Sequence, residues 1–572
     1  MITRRDFIKD TAVAAIGTLL GANKIISAPM IFTKSRVAKS AQKGELLFKP
    51  YYVQSGRGPH LGMVKSIEGL GEDDWDFPCW TFTSDTEWDA FQSNIYSDRD
   101  GVKVSDVSGK EKFGINVRWN VEGFGYIYMT ADNGGEFYEL PTEGKKQEYN
   151  LNYELAKSRL VRIRKRLDRF NKEGFTPSNE LSPWIELAES FMSDAEKAES
   201  DKGKRANYSQ KALYYGMWAG EKLELEKAAF EIEKRGYRKN FFLGCDTKGF
   251  PRMDNDQFLE LFTKVFNYAT ITHYLPSFEK EEGKYIFDER DYEFRQLKKR
   301  NVTVEGRPVF WADECCTPKW LSSKSYPEIL KYVEKHTRDL FSHYGDEMYA
   351  WEVINEAHDP ANVLKLTPEQ MVEIAKLSCE VAKATNPKVQ RLVNNCCIQA
   401  DYIQLKTWEK GEKKYPPVTP HQYLKMLHEA NVDFTITGQQ LYYPYTNRDL
   451  MDTILLTERI EKFGRPVQIT ELGASSGPSK ETIATGKMDI LKRPYDWHRP
   501  WDEELQADWL EQIYTILYSK PWIEAINWYD FVDPYSFIKN GGLLASPKGD
   551  VKPAYERLVK LEEKWSSLKP KI

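Results

Sequence analysis

Histidine is scarce in this chain, with 8 among 572 residues, and cysteine is no commoner at 7. A metal-dependent hydrolase needs clustered histidine and aspartate ligands at strand ends, and only His273 and His358 fall near such positions. The cysteines, at 79, 245, 315, 316, 379, 396 and 397, are odd in number and sparse, so they do not form a disulfide framework. The adjacent pairs Cys315-Cys316 and Cys396-Cys397 lack CxxC spacing and have no histidine at ligand distance in sequence, which argues against structural zinc. No metal and no cofactor is therefore expected. Excess charge is also missing: 81 basic and 86 acidic residues leave a formal charge of -5, with nothing to draw a phosphate backbone, so nucleic acid is not an expected partner. Long apolar runs are absent too. The run Ala12 to Ala22 is too short to span a bilayer, and no later segment is long and apolar enough for a membrane helix.

That short run has a meaning of its own. It follows Thr3-Arg4-Arg5-Asp6-Phe7-Ile8-Lys9, and paired arginines ahead of a short apolar stretch resemble the twin-arginine export signal, with Phe7 and Lys9 also in place. Residues 1–30 are expected to be such a signal, sending the protein to the periplasm or outside the cell. Pro29, directly after Ser27-Ala28, leaves the cleavage point open. The route carries chains already folded in a reducing cytoplasm, which agrees with free, buried thiols.

Aromatic residues are plentiful, with 16 Trp, 32 Tyr and 28 Phe, and sugars present flat C–H faces that stack on such rings. The length suggests roughly three to four units, or two if one is a large barrel. Between residues 45 and 145, short alternating stretches such as Gly114-Ile115-Asn116-Val117-Arg118-Trp119 and Gly125-Tyr126-Ile127-Tyr128-Met129 are broken by Gly, Asp and Asn, the pattern of a β-sandwich. Its Trp75, Trp80, Trp88, Trp119, Tyr126 and Tyr128 suit either a carbohydrate-binding module or a plain sandwich core. Residues 150–235 turn helical, over Tyr153 to Phe170, Pro183 to Glu199 and Tyr208 to Lys234, with Leu155, Leu160, Ile163 and Leu167 at helical spacing. The basic run Arg162 to Arg169 is read as the solvated face of the first helix, and the region as a connector packed on the enzyme.

From 237 to 565, apolar runs alternate with amphipathic helices in the βα rhythm of a parallel sheet. Eight strands are expected, near Phe241 to Cys245, Asn267 to Thr272, Val309 to Asp313, Tyr349 to Asn355, Arg391 to Asn395, Asp433 to Gln440, Val467 to Glu471 and Ala525 to Asp530. Eight is the count of a closed (β/α)8 barrel, so the fold class is α/β, a TIM barrel preceded by an all-β, sandwich-like domain and a helical connector. The roughly 330 residues available exceed the ~250 typical of such barrels and leave room for long loops at Thr407 to Pro420 and Ser475 to Pro500.

Two of these strands end on glutamates 115 positions apart, in Trp351-Glu352-Val353-Ile354-Asn355-Glu356-Ala357 and Val467-Gln468-Ile469-Thr470-Glu471-Leu472-Gly473. The C-terminal strand ends of a barrel carry its active site, and strands four and seven face each other across the mouth. Two carboxylates so placed are what glycoside hydrolysis with retention requires, one acid for the leaving oxygen and one carboxylate, about 5 to 5.5 Å away, for the anomeric carbon.

The surrounding residues resemble glycoside hydrolase family 10, the xylanase family of (β/α) barrels. Trp351 to Glu356 meets its W-[DE]-V-[VI]-N-E motif and Ile469 to Leu472 its I-T-E-L motif. Further blocks follow in order: Glu281-Glu282-Gly283-Lys284-Tyr285-Ile286-Phe287, then Gly306-Arg307-Pro308-Val309-Phe310-Trp311 with Thr317-Pro318-Lys319-Trp320-Leu321, then Gly438-Gln439-Gln440, Trp528-Tyr529-Asp530-Phe531-Val532-Asp533 and Lys552-Pro553-Ala554-Tyr555. The resemblance implies that Glu356 is the acid/base, Glu471 the nucleophile, and Asn355 the partner of the sugar 2-hydroxyl. It implies an enzyme, a retaining glycosidase acting on a plant or algal polysaccharide, most similar to endo-1,4-β-xylanases.

Departures from the family pattern mark the remaining substrate-binding candidates. Where family members carry an E-N-x-x-K-W segment whose asparagine and lysine bind the xylose unit, this chain has Ile271-Thr272-His273-Tyr274-Leu275. Arg307 and Tyr442 replace histidines of strands three and six, Ala312 a further histidine, and Asn395-Cys396-Cys397 the strand-five N-D-Y. The expected sugar-binding set is thus Asn355, Arg307, Gln440, Tyr442, Trp528 and His273. Two roles are open to Arg307: reading a substrate carboxylate or sulfate by a bidentate fork, or steadying one of the two glutamates. The first would point to an acidic or decorated glycan. A carbohydrate-binding protein without turnover is the rival reading, and oligomeric state is not indicated.

Overall fold

The structure, a computed structural model, describes residues 43–51, 81–98, 100–405, 417–443, 448–477 and 497–569. The expected signal, Trp75, Trp80 and most of both long loops lie outside the described residues.

Eight N-terminal strands form two four-stranded sheets. One has the order β4 (Asn94–Asp98), β5 (Gly101–Asp106), β1 (Glu45–Lys49), β8 (Lys146–Asn150); the other β3 (Ala90–Phe91), β2 (Phe82–Ser84), β6 (Gly114–Val121), β7 (Gly125–Ala131). Strand alternation sends Leu46, Phe48, Val102, Val104, Ile115, Val117 and Trp119 into one buried cluster. Three of the rings that composition offered for sugar stacking, Trp88, Trp119 and Tyr128, are packed within the protein. Trp119 is buried and donates to Gln210 Oε1, Tyr128 is buried and donates to Asp401 Oδ2, and the Arg162 guanidinium lies over Trp88.

Three helices follow, Leu151–Lys172, Ser182–Lys197 and Lys202–Arg235. Asn150 and Asp201 cap the first and third by accepting from the backbone N–H groups of Tyr153 and Lys204. The basic run of the first helix is not wholly a solvated face. Arg164, Lys165 and Arg169 are exposed, but Arg162 and Arg166 are buried, because carboxylates meet them from neighbouring helices. Arg166 pairs with Glu224 and Glu458, and two turns earlier Arg159 pairs with Asp449 (2.6 Å) and Asp452 (3.2 Å), the last three side chains fully buried. Asp449, Asp452 and Glu458 belong to the helix Leu450–Glu461 and its N-cap, within the barrel.

The barrel closes in the order β10-β11-β12-β13-β14-β15-β16-β9, all pairs parallel. Its strands are β9 (Phe242–Asp246), β10 (Tyr268–Thr272), β11 (Thr303–Arg307), β12 (Ala350–Asn355), β13 (Gln390–Asn395), β14 (Ile436–Tyr443), β15 (Val467–Ala474) and β16 (Ile523–Trp528). The expected fold class holds. The third strand is the exception in detail, since it occupies Thr303–Arg307 and not Val309–Asp313. Pro308 ends it, and the apolar run beyond continues irregularly beside β12 through the bonds Val309 N–H to Glu352 O and Asn355 N–H to Phe310 O. Close packing across β11 and β12 demands Gly306: a Cβ there would lie 2.3 Å from the Trp351 ring. Among the described residues, no helix is long and apolar enough to cross a membrane.

Candidate active site

Strand β15 delivers Glu471 into the barrel mouth, almost fully buried. Four donors converge on its carboxylate. Arg307 Nη2, Asn394 Nδ2 (3.3 Å) and Gln440 Nε2 (3.1 Å) donate to Oε1, and the Tyr442 hydroxyl donates to Oε2. They come from three strand ends, with β11 and β13 contributing one group each and β14 two.

Glu356 follows β12 directly and is half-buried. Its φ of +47° is the left-handed region, which a residue with a side chain occupies at a cost of about 1 to 3 kcal/mol when surrounding bonds hold it. Two bonds do so here: Glu356 N–H donates to Asn394 O (3.0 Å), and Asp359 N–H donates to Glu356 O (2.9 Å). Gln440 Nε2 lies 2.7 Å from Glu356 Oε1 and so donates to both glutamates. One nitrogen bonded to both keeps the two oxygens within about 6 Å of each other, close to the ~5 to 5.5 Å of a retaining pair and short of the ~6.5 to 9.5 Å of an inverting one.

Asn355 is buried beside them. Its Oδ1 accepts from Asn394 Nδ2 at 3.0 Å, while its Nδ2 has no hydrogen-bond partner among the described residues. A buried, unused amide donor is a cost unless a ligand completes it. Asn394 was not singled out from sequence, although a polar residue at the end of a buried strand is the signal for a site. Thr470 Oγ1 donates to Asn394 Oδ1 (2.6 Å), which turns the amide nitrogen toward Asn355 and Glu471.

Of the two roles open to Arg307, the geometry supplies the partner for the second. Its Nη2 is bonded to Glu471, and its Nε lies 3.5 Å from Glu352 Oε2, so two buried acidic side chains face the one guanidinium. Burial pushes the Glu352 carboxyl up to about 8, with Arg307 opposing the rise. Beyond Arg307 stands the Tyr529 ring (5.2 Å), and on it the Lys248 ammonium (3.9 Å), which also donates to the Tyr529 hydroxyl and reaches Asp530 Oδ1 at 3.3 Å. Burial works against the Lys248 charge, but Asp530 and Asp246 outweigh it and hold the ammonium above its usual range. Tyr274, whose hydroxyl is 3.3 Å from that of Tyr529, and Phe537, packed on Tyr442 and 36 % exposed, complete a wall that offers both donors and ring faces.

Two expected sugar-binding residues lie elsewhere. His273 is fully buried among Phe278, Tyr344 and Trp351, with its ring nitrogens on Ile271 O (3.0 Å) and Tyr344 OH (3.1 Å). Burial drives its pKa down to about 3, so it is a neutral core histidine. Trp528 is likewise fully buried near Trp509 and Tyr514, its indole N–H donating to Gly541 O (2.9 Å), and presents no free face to a sugar.

An eight-stranded parallel barrel holding two glutamates at opposed strand ends, bridged by one amide, has the construction of a barrel glycosidase. Residues 235–561 match glycosyl hydrolase family 10, and the chain belongs to that family. It is similar to endo-1,4-beta-xylanase 3 of Arabidopsis thaliana, 21% identical over 55% of this chain and 37% of that protein, and to endo-1,4-beta-xylanase B of Thermotoga neapolitana, 23% identical over 58% and 90%. The chain thus spans about a third of the Arabidopsis protein's length. Among solved structures it is similar to native xylanase 10B from Thermotoga maritima, at 19% identity over 59% of this chain and 98% of that one, with a TM-score of 0.44.

Proposed function

We propose that this protein is an exported, retaining glycoside hydrolase that cleaves β-1,4 bonds in a xylan-type polysaccharide. The observation that carries the reading is the single Gln440 amide bonded to both Glu356 and Glu471. Glu471, oriented by four donors, attacks the anomeric carbon, while Glu356 gives its proton to the leaving oxygen. Water then hydrolyses the glycosyl–enzyme ester, with Glu356 now acting as base. Asn355 Nδ2 is the donor left for the sugar 2-hydroxyl, a bond that strengthens in the transition state.

Xylan is favoured by family membership and by relatives named as endo-1,4-xylanases. Lys248, reaching the wall from the loop after β9, provides an ammonium in a chain that lacks the family's lysine-bearing segment after strand two. Arg4-Arg5 ahead of the short apolar run supports export by the twin-arginine route. The test is the anomeric configuration of the first product from xylo-oligosaccharides, read by proton NMR, together with Glu471→Gly. Retention, loss of turnover in the variant and its partial rescue by azide are expected. An inverted product, or no sugar released from xylan by the wild type, would overturn the proposal.

A further inference from the structure

We infer that Asp359, Cys396 and Cys397 form a binding site for a thiophilic divalent cation of the zinc and cadmium class, beside Glu356. The two sulfurs and a carboxylate oxygen of Asp359 all lie within 4.8 Å of one another, with Cys396 Sγ 3.5 Å from Asp359 Oδ2. Spacing along the chain argues against zinc at this cysteine pair, but the fold brings the third donor from 37 positions away.

Backbone geometry explains how neighbouring cysteines share a face. In an extended strand their side chains would point to opposite sides. Here the chain leaves β13 and Cys397 takes a φ of +50°, in a turn closed by Ala400 N–H on Cys397 O at 2.7 Å. Two sulfurs and one carboxylate suit a borderline-soft cation and leave a fourth position for water. Asp359 and Cys397 are partly exposed, so an ion can enter. When it binds, each thiol releases its proton to solvent and the sulfur's electron pair passes to the metal.

The site grips both segments that hold Glu356. Glu356 N–H is bonded to Asn394, two residues before Cys396, and its carbonyl to Asp359 N–H. A cation tying Asp359 to the cysteines therefore locks the loop carrying Glu356. Binding stands independently of the proposed hydrolysis; its effect on turnover rests on that reading.

The experiment is titration of the reduced full chain with cadmium chloride, following the ultraviolet thiolate-to-cadmium charge-transfer band and the thermal midpoint. One equivalent should saturate the band and raise the midpoint. Cys397→Ser should abolish both effects, and Asp359→Asn, which keeps both thiols, should weaken binding at least ~10-fold, since even groups behind the ligands cost that much. Cys315→Ser should change neither. A band that survives Cys397→Ser, affinity unchanged in Asp359→Asn, or a signal lost in Cys315→Ser instead would each overturn the site; turnover of xylan left unchanged at saturating cadmium would remove only its link to Glu356.

Discussion

Arg307 and Glu471 stand 164 positions apart in sequence, yet the guanidinium of one donates to the carboxylate of the other inside the barrel mouth. The same guanidinium faces Glu352, and all three side chains are buried. Removing one partner from a buried charge pair costs about 3 to 5 kcal/mol, because the other is left uncompensated. Arg307→Met should therefore lower thermal stability sharply as well as turnover. Adding Glu352→Gln should recover part of the stability and none of the turnover. A single variant that melts with the wild type would show that the arginine does not balance these charges.

Gln440 touches both glutamates and nothing in it is consumed by the reaction. Gln440→Met keeps the volume and removes the bridging amide. Loss of one preorganised donor typically lowers kcat by about 10²-fold, and KM should stay within a small factor because ground-state binding is not the target. Steady-state kinetics on xylo-oligosaccharides decide this. A raised KM with kcat intact would make Gln440 a substrate contact only.

His273 couples the fold to pH. Burial puts its native pKa at about 3, against 6.5 for a free side chain. Above pH 6.5 both states are neutral and the native advantage is complete. As pH falls from 6.5 toward 3 the unfolded chain takes a proton that the native chain refuses, so stability drops by about 1.4 kcal/mol per pH unit from this group. Thermal midpoints of His273→Gln between pH 7 and 4 should slope less than those of the wild type, whatever their absolute level. Equal slopes would assign the acid sensitivity to other groups.

Much of the barrel was readable because its strands are short apolar runs ending in polar residues. Strand three was not, and its residues explain why. Thr303-Val304-Glu305-Gly306-Arg307 carries two charges inward, Glu305 held by the Tyr268 hydroxyl at 2.6 Å and Arg307 by Glu471, so it looks less like a strand than the apolar Val309-Phe310-Trp311 beyond it. His273 and Trp528 mislead in the opposite sense. Their positions near strand ends suggest a site, but the side chains turn into the core, a direction no spacing reveals. Asn394 and Lys248 carry no mark in the sequence, and Tyr529 stands in the strand-eight block without a role of its own, because each acquires its meaning from a neighbour on another strand.

The buried pairing of Arg159 with Asp449 and Asp452 bears on inheritance. The helix that these aspartates begin joins β14, which carries Gln440 and Tyr442, to β15, which carries Glu471. The N-terminal region thus grips the element between three of the site's side chains. A change of charge on either side of that contact should survive selection only with a matching change on the other, so the two parts of this chain are bound to diverge as one lineage rather than be shuffled separately.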